Sequence, residues 1–92
     1  MKRYVIERAL PGIGGMSKDE LAGAAAVSNR ALAEVGPSIR WLHSYVTADK
    51  TFCVYEAESV AAIRRHAEIS GFPADTVSEV LAMLEPSSAA MA

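Results

Sequence analysis

The residues with the most obvious chemistry are a histidine and the single cysteine, both within RWLHSYVTADKTFCVYEA. If two regular strands are joined by a three-residue turn, Ala48 to Lys50, then Thr47 pairs with Thr51. His43 and Cys53 then share one sheet face, within about 7 to 8 Å of each other. Imidazole and thiolate suit nickel, copper or zinc, so the pair predicts a metal site. The alternative is ordinary packing, because neither residue belongs to a short ligand repeat.

Three further polar residues are candidates of a weaker kind. We expect His66 in the last turn of a helix, partly exposed, either as a cation at the helix C-terminus or as a surface metal ligand with Glu68 or a partner's carboxylate. Glu56 and Glu58 fall where a strand ends and the next helix begins. Acids in a first helical turn are common, and this is the simplest interpretation of both.

The elements that would position these residues are four strands and two helices. Ser17 and Glu20 form a predicted capping box, and Gly71 followed by Phe72 and Pro73 is typical of a helix end. Residues 75–84 fit a strand or a helix, and a strand is favoured because it completes a sheet. The predicted strands span residues 2–10, 39–47, 51–57 and 75–84, and the helices residues 17–35 and 59–70.

This order predicts an α+β fold of the ferredoxin-like βαββαβ kind, a four-stranded antiparallel sheet with two helices on one face. A chain of 92 residues has room for one core. We therefore expect a single domain over residues 1–85 and a disordered tail over residues 86–92.

The hairpin pattern also predicts a dimer. Regular alternation places Trp41, Tyr45 and Tyr55 on the face away from the helices, together with His43 and Cys53. Each aromatic side chain buries about 150 to 250 Å² when covered, so leaving three in water forfeits several kcal/mol. A second copy packed sheet against sheet, as in dimeric α+β barrels, would cover them. The alternative cover is the C-terminal tail, whose serines and alanines bury little.

Composition excludes several classes of function. A net charge of -2 and a pI near 5.6 argue against nucleic-acid binding. No apolar run approaches the roughly 20 residues of a membrane span, and Glu7 and Arg8 interrupt any signal-peptide core. One cysteine excludes an intramolecular disulfide. We therefore expect a cytoplasmic protein.

Four segments carry a resemblance to a known family: YVIER, SNRALAEVG, the hairpin stretch and HAEISGFPADTVSEV. Together they resemble a family of small bacterial nickel-binding proteins, over Tyr4 to Val80. The resemblance implies a ferredoxin-like subunit, a homodimer, and Ni²⁺ held at the dimer surface for sequestration or response to metal excess. It implies ligands from both subunits. The candidates by side-chain chemistry are His43, Cys53 and His66, with Glu56 and Glu58 as second choices.

A different hypothesis is a cofactor-free enzyme or small-molecule binding protein. His43 would then be the acid or base, in an apolar pocket lined by Tyr45, Tyr55 and Cys53. A cavity of ligand size touching His43 would favour it over the metal site. A module that only binds other proteins is the third possibility.

Overall fold

The computed structural model describes residues 1–91 and has an α+β fold. Its four strands form one antiparallel sheet in the order β2–β3–β1–β4. Short 3-10 helices occupy Ile13–Gly15 and Pro86–Met91. The main elements are β1 (Lys2–Ala9), α1 (Lys18–Val35), β2 (Ile39–Val46), β3 (Lys50–Ala57), α2 (Val60–Ser70) and β4 (Thr76–Glu79).

The helix ends follow the capping signals of the sequence. Ser17 Oγ accepts a hydrogen bond from the Glu20 N–H at 3.1 Å, and Glu20 Oε1 accepts one from the Ser17 N–H at 3.0 Å. This capping box starts α1 as predicted. Ser59 caps α2, which ends at Gly71 with φ 79°, the left-handed conformation that glycine adopts without strain.

Both helices pack on the same face of the sheet, here called the covered face. Alternate residues of β1 and β3 point into it, including Tyr4, Ile6 and Tyr55, and each is at most 4% exposed. The core cluster of buried residues is Tyr4, Ile6, Ile39, Cys53, Tyr55, Ala57, Ala62 and Ile63. The opposite side of the sheet, here called the open face, has no helix against it.

The turn between β2 and β3 is one residue shorter than predicted. The Thr47 N–H donates to the Lys50 carbonyl at 2.9 Å, so only Ala48 and Asp49 form the turn. Val46, rather than Thr47, therefore lies opposite Thr51. Side chains alternate between the two faces along a strand. This shift of one residue therefore places the β2 residues near the turn on the face opposite to the predicted one, relative to their partners in β3.

A β-bulge in β2 reverses that shift further along the strand. Trp41 lies opposite Tyr55 but His43 lies opposite Val54, so Leu42 is an extra residue in β2. Trp41 and Tyr55 therefore share the covered face, and His43 shares the open face with Val54. The prediction of one aromatic face away from the helices is wrong for two reasons. The helices pack on the face that carries Trp41 and Tyr55, and the two-residue turn places His43 and Tyr45 on the opposite face.

The last strand is present but shorter than the predicted span of residues 75–84. It pairs with the middle of β1, with Tyr4 opposite Glu79 and Glu7 opposite Thr76, and the Val80 N–H donates to the Arg3 carbonyl at 2.8 Å. The predicted disordered tail covers residues 86–92, of which Pro86–Met91 forms a 3-10 helix and Ala92 lies outside the described residues.

Candidate functional site

The open face carries an exposed histidine beside apolar side chains. His43 is exposed, and its ring meets that of Tyr45 edge to face, with 5.2 Å between the centroids. Phe52 and Val54 of β3 and Val5 of β1 lie opposite or next to them and are half-buried. These five residues form what is here called the apolar patch.

A carboxylate lies at the edge of this patch. Glu56 follows Val54 by two residues on β3 and so shares the open face. Its oxygens lie 3.7 Å from the Arg3 and Arg40 guanidinium groups. Glu56 lies opposite Arg40, and His43 lies opposite Val54 on the other side of the bulge at Leu42. Two of the five predicted ligands, His43 and Glu56, are therefore on the same face of the sheet.

The interpretation of Glu56 and Glu58 as acids of a first helical turn is wrong. Glu56 belongs to β3, and Glu58 precedes the cap residue Ser59, so α2 has no acid in its first turn. Glu58 lies in the loop between β3 and α2. Its N–H donates to the Ser38 carbonyl at 2.9 Å, and its side chain is exposed.

Cys53 lies on the other side of the sheet from His43. It pairs with Ser44, is 6% exposed, and its thiol donates to Thr51 Oγ1 at 3.5 Å. The prediction that Cys53 and His43 share a face is therefore wrong. The two-residue turn is the cause, because it places His43 opposite Val54. His43 therefore shares a face with Val54, and Cys53, the neighbouring residue of β3, points to the other face.

His66 is fully buried, and the prediction of a partly exposed cation is wrong. It follows Ile63 by three residues on the inner side of α2. Its Nε2 lies 3.2 Å from both the Ser28 carbonyl and Ser28 Oγ, and its ring meets Tyr55 edge to face at 5.4 Å. Burial lowers the pKa of His66, and the nearby Arg8 lowers it further, against the opposing effect of the Ser28 hydrogen bond.

The buried Nδ1 of His66 has no hydrogen-bond partner among residues 1–91. A protonated ring would place a second N–H donor at that atom, inside the core. The neutral ring, donating from Nε2 to the Ser28 carbonyl, is thus the form that this environment favours. His66 therefore acts as a packing residue between α1 and the sheet.

No complete metal cluster is present within one copy of the chain. Among residues 1–91, no group of three or more histidine, cysteine, aspartate or glutamate side chains is placed to hold a metal ion. Within a single copy, the open face supplies only an imidazole and a carboxylate.

A cavity of about 200 Å³ lies on the covered face, between α1 and the sheet. Leu21 and Ala25 of α1 form part of its apolar wall, and Cys53 and Tyr55 line the sheet side. His43 and Tyr45 do not line it, so this cavity is not the pocket around His43 that the enzyme hypothesis requires.

Sequence reasoning missed Arg8, which lines this cavity and is 2% exposed. Its Nη1 donates to the Phe72 and Pro73 carbonyls at 3.2 and 2.7 Å, and its Nη2 donates to the Tyr55 hydroxyl at 3.4 Å. Burial raises the pKa of Tyr55, although the Arg8 charge opposes this. The signal was present, because Arg8 has the same parity as the buried Tyr4 and Ile6.

The fold and the open face define a small α+β protein with a surface histidine and carboxylate beside an apolar patch. A model of the nickel responsive protein SCO4226-like family matches residues 4–80, and the chain belongs to that family. This confirms the resemblance seen in the sequence.

Among solved structures, the crystal structure of SCO4226 from Streptomyces coelicolor A3(2) is similar, with a TM-score of 0.73 and 20% identity. The match covers 89% of this chain and 99% of that one, and shows that the two share a fold. No curated protein matches the chain significantly. Within residues 1–91, every helix is too short or too polar to span a membrane.

Proposed function

We propose that this protein is a cytoplasmic homodimer that binds Ni²⁺ through His43 and acts in metal sequestration or response rather than catalysis. The family supports a metal-related role. The observation that carries the proposal is the exposed imidazole of His43 on a sheet face that no helix covers. Neutral imidazole is a good ligand for nickel.

Glu56 is the second ligand in this proposal. Its 3.7 Å separations from Arg3 and Arg40 are longer than hydrogen bonds, so its oxygens keep lone pairs for a metal. One imidazole and one carboxylate do not fill a coordination sphere. A two-fold axis through the open face would supply the same pair from a second copy, and water would complete the site.

The apolar patch supports the homodimer. Tyr45 is 62% exposed, and the neighbouring Phe52 and Val54 are only half-buried. Leu81 and Leu84, which lie between β4 and the C-terminal tail, are 88 and 90% exposed and so cover little of the patch. Apolar surface of this kind typically marks an interaction site. Two ferredoxin-like subunits packed open face to open face would bury it and bring the two copies of His43 towards each other.

Calorimetric titration of Ni²⁺, with Cu²⁺ and Zn²⁺ for comparison, tests the metal site. We expect saturable nickel binding that weakens at least tenfold in His43→Ala and less in Glu56→Gln. Cys53→Ser is the matched control, because it alters a ligand-type residue on the covered face and should bind like the wild type. Unchanged affinity in His43→Ala would defeat the assignment.

Sedimentation velocity at micromolar concentration tests the assembly. We expect a dimer for the wild type and a monomer for Tyr45→Glu, which places a charge in the apolar patch. Glu34→Lys, a change at an exposed residue of α1, should remain dimeric. A monomeric wild type with full nickel affinity would contradict the shared site.

A further inference from the structure

The cavity on the covered face has a buried positive charge in its wall that lacks an anionic partner. No carboxylate of residues 1–91 lies within 4.0 Å of the Arg8 guanidinium. Buried charges in proteins are usually paired, since desolvation of an isolated ion is costly. Arg8 is stabilised instead by two carbonyl dipoles, by the Tyr55 hydroxyl, and by the Tyr55 ring 5.8 Å from its Cζ.

The guanidinium group keeps unused donors. It has five N–H groups, and three of them donate to the Phe72 carbonyl, the Pro73 carbonyl and the Tyr55 hydroxyl. The Nε–H and one Nη2–H make no hydrogen bond among the described residues. Nε and Nη2 lie on one edge of the planar group, the geometry that binds a carboxylate through two parallel hydrogen bonds.

The other residues that line the cavity determine the size and polarity of a ligand that would fit it. Leu21, Ala25, Trp41 and Phe72 give it a mainly apolar surface, and Arg8 is its only charged residue. Its volume of about 200 Å³ is a little above the roughly 150 Å³ of an engineered cavity that binds benzene. Val46 also lines the cavity and is 44% exposed, so its side chain lies at the rim.

We propose that this cavity is a binding site for a small apolar monocarboxylate of about the size of benzoate, with its carboxylate on the Arg8 guanidinium and its apolar body against α1. The positive charge of Arg8 would repel a cationic ligand, and a neutral ligand would leave that charge unpaired. This site is separate from the proposed nickel site, which lies on the opposite face of the sheet.

The test is a titration with benzoate, followed by backbone amide NMR shifts without added metal. We expect saturable shifts at Ser28, Thr51 and Phe72, and binding at least tenfold weaker for the neutral isostere benzyl alcohol, because a charge-assisted bidentate pair is lost. Arg8→Met should lower benzoate affinity by the same factor and remove the preference over benzyl alcohol. Equal binding of the two compounds, or no saturation at millimolar benzoate, would overturn the proposal.

A second variant covers the case in which Arg8→Met does not fold. Ala25→Leu fills the cavity from α1 and keeps the guanidinium, and we expect it to abolish benzoate binding. Ala26→Leu is the matched control, since Ala26 is the next residue of the same helix and is exposed. It should bind like the wild type, and retained binding in Ala25→Leu would contradict the site. Nickel titration of the same variants measures the proposed metal site on the open face, and so tests that site separately from the cavity.

Discussion

The two faces of the sheet differ in whether their polar side chains are buried or exposed to solvent. The covered face buries an arginine, a histidine and a cysteine, each held by hydrogen bonds to neighbours on the helices or strands. The open face leaves His43 in solvent and surrounds it with apolar side chains. His43 and Cys53, which belong to the same hairpin, therefore lie on opposite faces of the sheet. His66 and Cys53 contribute to packing, whereas His43 remains available to a ligand.

The largest expected difference between the faces is in stability. Ile6→Ala removes a fully buried side chain of the core and should lower the free energy of unfolding by about 2 to 5 kcal/mol. Val5→Ala changes the preceding residue of the same strand on the open face, where we expect a loss of about 1 kcal/mol or less in the monomeric Tyr45→Glu background. Urea denaturation of both variants measures the contrast, and equal losses would show that the open face is packed as tightly as the core.

The second prediction concerns pH. The lowered pKa of His66 means that the unfolded chain binds a proton more tightly than the folded protein does. The unfolded state therefore holds more protons as the pH falls below about 6.5, and the free energy of unfolding should fall with it until the folded-state pKa is reached. Above about pH 6.5 this contribution is fully present.

Urea denaturation at a series of pH values from 7.5 to about 5 checks this prediction. We expect His66→Gln to show a shallower loss of stability than the wild type, because the titrating ring is gone. Identical slopes in the wild type and His66→Gln would mean that protonation of the buried ring is not opposed by its surroundings.

Most of the fold could be predicted from the sequence, because its signals are local. Ser17 with Glu20 and Gly71 mark helix ends through contacts within a few residues. Each of these patterns spans only a few residues and does not depend on the length of a turn elsewhere in the chain. The element order followed from them.

The candidate site could be predicted only in part, because facing depends on counting every residue. A turn shorter by one residue moved His43 away from Cys53, and the extra Leu42 then returned Trp41 to the covered face. Neither event has a strong local signal, since the turn residues Ala48 and Asp49 fit several turn lengths. Arg8 was missed for another reason: a charged residue at a core position is uncommon.

The smallest predicted effect tests the bulge itself. The Trp41 indole N–H donates to Ser44 Oγ at 2.9 Å, although residues three apart point to opposite sides of a regular strand. The hydrogen bond is possible because Leu42 is an extra residue between them. Ser44→Ala should therefore lower the free energy of unfolding by about 1 kcal/mol and shift Trp41 fluorescence to longer wavelength.

Ser78→Ala, a serine on the open face opposite Val5, is the matched control. It should leave both the stability and the emission near their wild-type values, because Ser78 is exposed. If Ser44→Ala also changes nothing, Trp41 is held on the covered face by its edge-to-face contact with Tyr55, 6.4 Å between centroids, without help from the bulge hydrogen bond. The division between the faces would then rest on apolar packing alone.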